Sequence, residues 1–134
     1  MIVSTRGRYA LRVLTDIAEH SEDERIPLKE VAERQEISQK YIESIMTLLS
    51  KNGFVDAVHG KSGGYKLNRS PEEYKVGEIL RLTEGTLAPV ACLEKGAPLC
   101  PKKEKCRTVN MWSKLDELIE GYLDSVTLAD LMKK

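Results

Sequence analysis

The fold is decided by residues 37–67, which read ISQKYIESIMTLLSKNGFVDAVHGKSGGYKL. Ser38 is a good N-cap, and the apolar residues after it recur at helical spacing, so this part predicts a helix. Gly53 ends that helix, because glycine tolerates the left-handed conformation of a C-cap. The alternating residues 54–58 and their return at 65–67 predict two strands joined by a basic, glycine-rich tip. A helix followed at once by such a hairpin is typical of a winged helix.

Two helices are predicted before this stretch. Apolar residues at i, i+3, i+4, i+7 spacing predict an amphipathic helix from Thr5 to about His20. Pro27 opens a shorter helix, which a turn of about three residues joins to the helix after Ser38. This pair is typical of a helix-turn-helix, although the turn lacks the common glycine. On helical pattern alone, three helices of a generic bundle are the alternative, and the hairpin favours the winged helix-turn-helix.

The second half of the chain is predicted to hold a loop and a long helix. Residues 84–106 are loop-like, and an amphipathic helix runs from about Arg107 to Asp124, followed by a short helix capped by Thr127. The apolar stripe of the long helix packs either on its own domain or on a second copy. We favour a dimer, because two copies that read adjacent grooves multiply the specificity of a small DNA-binding domain.

The predicted fold class is therefore mainly α with a small β-hairpin. Residues 1–75 are predicted to form a winged helix-turn-helix DNA-binding domain. Residues 76–134 are predicted to hold a sensor loop (84–106) and the dimerisation helices. The 134 residues suffice for one compact domain, or for one domain with an added arm.

Composition is that of an ordinary globular protein. Apolar residues make up 41% and charged residues 31% of the chain, which allows a real core. Nothing resembles a signal peptide, and no stretch approaches the length needed to cross a bilayer. We therefore expect no membrane association and a cytoplasmic location.

Charge is balanced overall and uneven along the chain. The 21 Lys and Arg residues match 21 Asp and Glu residues, which argues against a sequence-blind binder of nucleic acid. Residues 1–12 carry three arginines and no acid, and residues 37–69 carry five cations against two acids. One face can therefore be positive while the molecule is neutral. The alternative is that these charges are ordinary solvated surface.

The three cysteines are Cys92, Cys100 and Cys106, and they lie close together in the predicted loop. An odd number of cysteines in a cytosolic protein speaks against a disulfide framework and for metal binding or thiol chemistry. An enzyme is not expected, because no nucleophile motif, phosphate loop or paired-acid spacing is visible. A thiol- or zinc-dependent catalyst is the alternative from another functional class.

Several segments together resemble one family. They are Ser4–Arg12, the Ile-Ser and Tyr-Ile-Glu of 37–43, the Leu and Lys-Asn-Gly of 49–53, the glycines and tyrosine of 60–65, and the cysteine loop. Nearly the whole chain is similar to the IscR-like iron–sulfur regulators, winged-helix transcription regulators with NsrR and CymR as relatives. The resemblance implies a homodimer that binds a palindromic promoter site in double-stranded DNA and represses transcription.

The resemblance also assigns DNA contacts by position, to the start of the first helix, the recognition helix and the wing. The residues are, in that order, Arg6, Arg8 and Tyr9; Ser38, Lys40, Tyr41, Glu43 and Ser44; and His59, Lys61, Ser62, Gly63 and Gly64. Glu43 can accept a hydrogen bond from cytosine N4 and so specify a base. Lys40 and Ser44 suit phosphate oxygens or base edges. For Tyr41, plain core packing is the alternative.

In cluster-binding members of the family the cysteine loop holds a two-iron cluster, so the resemblance implies a 2Fe-2S cluster on the three cysteines. In the IscR type the fourth ligand is a histidine three positions after the last cysteine, where this chain has Val109. Some relatives instead use an acid near the N-terminus, where this chain has Arg8. The fourth ligand is then an Asp or Glu of either protomer, Asn110, a backbone group or an exogenous thiol, with His20 as a weaker candidate.

We expect a labile, partly exposed cluster whose occupancy or redox state controls DNA binding. One alternative is a cluster-free thiol or zinc site. The other is a regulator of the CymR type, controlled by a partner protein or a small molecule.

Overall fold

The computed structural model describes residues 3–20, 26–58 and 64–133. In these ranges the chain is mostly helical with one antiparallel hairpin, which confirms the predicted fold class. The elements are α1 Thr5–Glu19, α2 Leu28–Gln35, α3 Gln39–Lys51, β1 Val55–Ala57, β2 Tyr65–Leu67, α4 Val76–Glu84, α5 Val109–Ser125 and α6 Leu128–Leu131. Short 3-10 turns occupy Pro71–Glu73, Ala91–Leu93 and Lys103–Lys105.

The limits of α3 follow from its terminal residues. The Ser38 hydroxyl accepts a hydrogen bond from the backbone N–H of Tyr41 at 3.2 Å, so Ser38 is the N-cap. Gly53 just beyond the helix has φ 76°, the left-handed conformation that glycine adopts at no steric cost. Both ends of α3 are therefore where the sequence predicts them.

The turn between α2 and α3 takes its shape from Glu36. This residue is left-handed, with φ 55° and ψ 43°. A side chain in that region costs roughly 1–2 kcal/mol because Cβ approaches the following carbonyl oxygen. Glu36 thus fills the position that a glycine fills in many helix-turn-helix motifs, which explains how the motif forms without one.

The hydrophobic core surrounds α1. Helices α2, α3 and α6 pack against its buried face. From α3, Ile42, Ile45, Met46 and Leu49 are completely inaccessible to solvent. Because these four residues recur every three or four positions, they bury one face of α3 and leave the opposite face outside.

The hairpin lies beside the helix-turn-helix and is anchored at its base. Val55 of β1 pairs with Leu67 of β2, and Ala57 pairs with Tyr65. The Ile26 N–H donates to the Tyr65 carbonyl at 3.1 Å, and the Tyr65 N–H donates back at 3.3 Å. This extra bridge fixes the hairpin to the chain that leads into α2, as expected of a wing.

The end of the chain returns to the first half. Leu128 of α6 is fully buried in the core around α1, and its N–H donates to the Tyr74 carbonyl at 3.1 Å. Thr127 and Asp130 form a capping box, which confirms the predicted cap of this short helix. The division at residue 75 stays a prediction. Within the described ranges, no helix has both the length and the apolar character to cross a membrane.

Candidate functional site

The polar face of α3 is open to solvent. Ser38, Lys40, Glu43 and Ser44 are all exposed, and the apolar face of the same helix is buried in the core. The packing of α3 therefore presents the predicted recognition residues outward on a rigid element.

Three of these side chains also make local hydrogen bonds within α3 and its N-cap. The Ser44 hydroxyl donates to the Tyr41 carbonyl at 2.7 Å, which leaves its oxygen able to accept. The Ser38 oxygen accepts the capping N–H and keeps its own proton as a donor. Glu43 accepts a hydrogen bond from the Gln39 amide at 3.5 Å, and Lys40 lies on the same exposed face of the helix.

For Tyr41 the sequence allows two interpretations, a contact with DNA and packing in the core. It is 36% exposed and stands outside the buried core. Its ring meets the ring of Tyr9 on α1 edge to face, with 5.7 Å between centroids and 73° between planes. The Arg12 guanidinium also lies over the ring of Tyr9, 5.2 Å from the ring centroid. Tyr41 and Tyr9 thus connect α3 to α1 through an aromatic contact.

The first turn of α1 forms a second exposed surface next to Tyr41. Arg6 and Arg8 are both exposed, and Arg8 Nη2 donates to Thr5 Oγ1 at 3.1 Å. Arg6 and Tyr41 line one open cavity of about 510 Å³. The remaining lining residues are Ser4, Thr5, Thr83 and Glu84. The structure therefore brings the start of α1 and the start of α3 to one place.

Most of the predicted wing tip lies outside the described residues. His59, Lys61, Ser62 and Gly63 belong to that part of the chain. Gly64 is described, with φ 146°, and a Cβ added there would lie 2.8 Å from the Ile26 carbonyl oxygen. Gly64 is thus required for the close approach of the hairpin base to Ile26, in addition to any contact with DNA.

One cation of the basic stretch is engaged within the protein. Arg69 lies over the rings of Phe54 and Tyr74, 4.9 and 4.7 Å from their centroids. Its Nη1 also donates to Glu78 at 3.1 Å. Arg69 stabilises the base of the wing, so the count of positive charges in the sequence overstates the number that point to solvent.

The three cysteines line one cavity. Cys92, Cys100 and Cys106 face a space of about 110 Å³ together with Val109. The rest of the lining is mainly apolar and consists of Leu93, Ala97, Pro98, Leu99 and Lys103. In the described part of the chain, no three His, Cys, Asp or Glu side chains are grouped closely enough for a single metal ion.

The donor set fits three of the four ligand positions of a two-iron cluster. Three thiols around one cavity supply the soft donors that iron–sulfur clusters prefer. Among the residues that line this cavity, Val109 offers only a hydrocarbon side chain where the resemblance places a histidine. A two-iron cluster held here would have three thiolates from this cavity and no fourth protein donor at Val109.

The thiol of Cys106 accepts hydrogen bonds from the residues that follow it. The Thr108 hydroxyl, 3.5 Å from Sγ, and backbone N–H groups of Thr108 and Val109 lower the pKa of Cys106 below that of an ordinary thiol. The pKa is therefore lowered by hydrogen bonds and not by the charge of a neighbouring lysine or arginine. They favour the thiolate, which is the form that binds metal.

Helix α5 carries an apolar stripe on its outer side. None of its residues is buried in the described chain. Trp112, Ile119 and Leu123 are half-buried, and Ile119 and Leu123 pack toward α4. On another side lie Met111, Leu115, Leu118 and Tyr122, all exposed large apolar residues. Their spacing of four, three and four residues places them along one line of the helix.

Sequence reasoning missed the contacts around the last turn of α4. Arg81 donates to Asp124 of α5 at 2.8 Å and also to Glu120. Glu84 accepts hydrogen bonds from the backbone N–H of Ser4 and, at 2.6 Å, from its hydroxyl. These partners are far apart in sequence, so no local pattern reveals the pairs. The only signal is a charged residue on the face of α4 that also carries apolar residues.

Comparison with known proteins places these surfaces in context. A family model named Rrf2, described as iron-dependent transcriptional regulator, matches residues 3–134. The protein Rrf2 of Nitratidesulfovibrio vulgaris is 38% identical over 133 residues, which cover 99% of this chain and 88% of that protein.

Two solved structures are similar over almost the whole chain. IscR of T. potens has 37% identity and a TM-score of 0.74, and the match covers 99% of this chain and 87% of that one. CymR of B. subtilis, described as a global cysteine regulator, has 29% identity and a TM-score of 0.81. That match covers 99% of this chain and 97% of CymR.

Proposed function

The chain belongs to the Rrf2 family of DNA-binding transcriptional regulators, and from this premise we propose that it is a homodimeric repressor whose cysteine loop senses an iron–sulfur cluster. The observation that carries DNA recognition is the exposed polar face of α3 beside the exposed arginines of α1. The family consists of transcription regulators, so a catalytic role is not part of the proposal.

DNA recognition is proposed to use both exposed surfaces and the wing. Helix α3 enters the major groove, where Glu43 accepts a hydrogen bond from cytosine N4 and Lys40 contacts phosphate or a base edge. Arg6 and Arg8 contact phosphates that flank the groove. His59 and Lys61 of the wing contact the neighbouring minor groove. The remaining contacts are proposed for Tyr9, Ser38, Tyr41, Ser44, Ser62, Gly63 and Gly64.

A homodimer is proposed to form through the outer stripe of α5. The stripe includes Leu118, 58% exposed, and Tyr122, 68% exposed. Large apolar side chains in a row on a surface helix are typical of an interface. A two-fold axis would pair identical stripes and set two copies of α3 toward successive major grooves, which matches a palindromic site.

The cluster is proposed to be held by Cys92, Cys100 and Cys106. When bound, a two-iron cluster supplies a redox-sensitive group that oxygen or iron shortage can remove. The protein's own part is to keep three thiolates around one mainly apolar cavity, with Thr108 favouring the thiolate of Cys106. With three protein thiolates and a fourth donor from elsewhere, we expect the cluster to be labile.

A cluster-free regulator is the second candidate. The similarity to CymR and the presence of Val109 at the place of the fourth ligand both favour it. In that case the cysteines act as thiols or bind zinc, and a partner protein or a small molecule controls DNA binding. Anaerobic purification with assays of iron, zinc and acid-labile sulfide separates the two candidates. Protein that stays colourless and free of sulfide after reconstitution contradicts the cluster.

DNA recognition is tested by selection from a random pool of duplexes, with measured salt dependence. We expect enrichment of a palindrome. If Lys40 contacts phosphate, Lys40→Ala should weaken binding uniformly across sequences and reduce the salt slope by about 1. Glu43→Ala should relax the preference at one base pair by roughly 1–3 kcal/mol. Lys29→Ala, which removes an exposed cation of α2, is the control. Failure to enrich any duplex at low salt contradicts the proposed function.

A further inference from the structure

Glu84 places a negative charge beside the proposed DNA contacts. Its carboxylate lines the same open cavity as Arg6 and Tyr41. An acid at this position repels phosphate, so electrostatics alone predicts that its removal strengthens DNA binding. A residue that is unfavourable for binding and is nonetheless held in a specific contact calls for a structural explanation.

The contact is with Ser4, the N-cap of α1. The Ser4 hydroxyl donates to Glu84 Oε2 at 2.6 Å. The oxygen of that hydroxyl, Ser4 Oγ, also accepts the Gly7 N–H at 3.1 Å. A hydroxyl has one proton, so its donation to Glu84 turns the oxygen's lone pairs toward Gly7. The Ser4 N–H also donates to Glu84. Glu84 therefore orients the cap that starts α1.

Gly7 allows α1 and α4 to approach closely enough for this contact. A Cβ on Gly7 would lie 3.0 Å from Thr83 Oγ1, 3.2 Å from Leu80 Cδ2 and 3.3 Å from Glu84 Cδ. The first turn of α1 thus rests directly on the last turn of α4. Although partial burial raises the pKa of Glu84, the hydrogen bonds from Ser4 and the charge of Arg6 bring it below its ordinary value, so the carboxylate is ionised.

We propose that Glu84 is a positioning residue for DNA binding, which holds the first turn of α1 so that Arg6 and Arg8 reach phosphate. This inference rests on the proposed function. The charge of Glu84 alone predicts that loss of the carboxylate strengthens DNA binding. The positioning role predicts the opposite, that its loss weakens specific binding.

The experiment compares Glu84→Ala and Glu84→Gln with Glu73→Ala, in the full-length protein. Glu73 is an exposed acid of the 3-10 turn before α4, so its loss changes the net charge by the same amount. Affinity is measured by fluorescence anisotropy on the selected duplex and on a scrambled duplex. We expect Glu84→Ala to bind the selected duplex about tenfold more weakly. Glu73→Ala should bind no more weakly than the wild type, and Glu84→Gln, which keeps an acceptor for Ser4, should lie between.

Amide hydrogen exchange provides a readout that does not need DNA. Exchange at Gly7 and Arg8 should be faster in Glu84→Ala than in Glu73→Ala, with unchanged exchange in α3. In a Ser4→Ala background, Glu84→Ala should weaken binding by less than it does in the wild type, because only the contact with the Ser4 backbone N–H remains to be lost. Equal or tighter binding by Glu84→Ala, or unchanged exchange at Gly7, overturns the inference. If the wild type retains no duplex, the proposed function fails, and the exchange result still decides the role of Glu84 at the cap.

Discussion

The guanidinium of Arg34 holds the buried carboxylate of Asp16 from two of its nitrogens. Nε donates to both carboxylate oxygens at 3.0 and 3.1 Å, and Nη2 donates at 2.6 Å. The Gln35 amide adds a fourth hydrogen bond at 2.8 Å. Since Asp16 belongs to α1 and Arg34 and Gln35 to α2, this group fixes the first half of the helix-turn-helix to the core.

Arg34→Ala should destabilise the fold by roughly 2–4 kcal/mol, because it leaves a buried carboxylate without its cation. Urea unfolding at constant protein concentration measures the loss. Lys29→Ala removes an exposed cation from the same helix and should change the unfolding free energy by less than about 0.5 kcal/mol. Equal effects of the two substitutions on the unfolding free energy would show that the ion pair of Arg34 with Asp16 makes no specific contribution to stability.

Stability should fall in acid because of Asp16. Burial alone raises the pKa of Asp16, but the hydrogen bonds from Arg34 and Gln35 and the charge of Arg34 bring it below the ordinary value. The stabilisation is therefore complete above a pH of about 4 and is lost as the pH falls through the lower pKa of the folded state. The unfolding free energy of Asp16→Asn should lie below that of the wild type at neutral pH and approach it in acid. If the unfolding free energies of the two proteins differ by the same amount at every pH, Asp16 is not the cause of the loss of stability in acid.

Glu36→Gly should stabilise the protein by about 0.5–1 kcal/mol, since it relieves the left-handed conformation of the turn. Glu33→Gly, the same substitution in the interior of α2, should destabilise by about 1 kcal/mol. If the left-handed φ of Glu36 is the cause, thermal unfolding should show a gain in stability for Glu36→Gly and a loss for Glu33→Gly. A loss of stability in both variants would indicate that the side chain of Glu36 makes a contact of its own.

Leu118→Glu should weaken the proposed dimer by about 100-fold or more, because a symmetric interface loses two apolar side chains at once. Sedimentation equilibrium measures the association. Glu117→Lys is the control, since Glu117 is exposed on the side of α5 away from the stripe. Dimers of unchanged affinity in Leu118→Glu would exclude this face as the interface.

Val109→His should lengthen the lifetime of a reconstituted cluster in air by about tenfold, because it adds a nitrogen donor to the cavity of the three cysteines. The absorbance of the cluster during exposure to air measures the decay. Val109→Leu alters the volume of the side chain without adding a donor, so the cluster of this variant should decay as fast as that of the wild type. Identical decay of all three proteins indicates that the fourth ligand position is already filled.

Local sequence patterns predicted the elements that depend on local chemistry. The period of Ile42, Ile45 and Leu49 determined which face of α3 is buried, and the caps at Ser38 and Thr127 determined where helices begin. Long-range pairs were beyond such reasoning, because the partners of Arg81 lie 39 and 43 residues away. Glu36 was missed for a different reason, since glutamate gives no indication of a left-handed turn.

The candidate site was predicted in part. The exposure of Lys40 and Glu43 follows from the same helical period that buries Ile42. The edge-to-face contact of Tyr41 with Tyr9 did not follow, because an aromatic residue at the border of an apolar face is compatible with both burial and exposure. The placement of three cysteines around one cavity follows from their short spacing, but the spacing does not reveal the missing donor.

The last turn of α4 is hydrogen-bonded to two other helices. Arg81 connects it to α5, and Glu84 connects it to the N-cap of α1. If α5 sets the distance between two protomers, this turn couples operator spacing to the angle at which each protomer meets its half-site. Under that condition, we expect a family member adapted to differently spaced half-sites to differ at residues of this turn, even though none of them needs to touch a base.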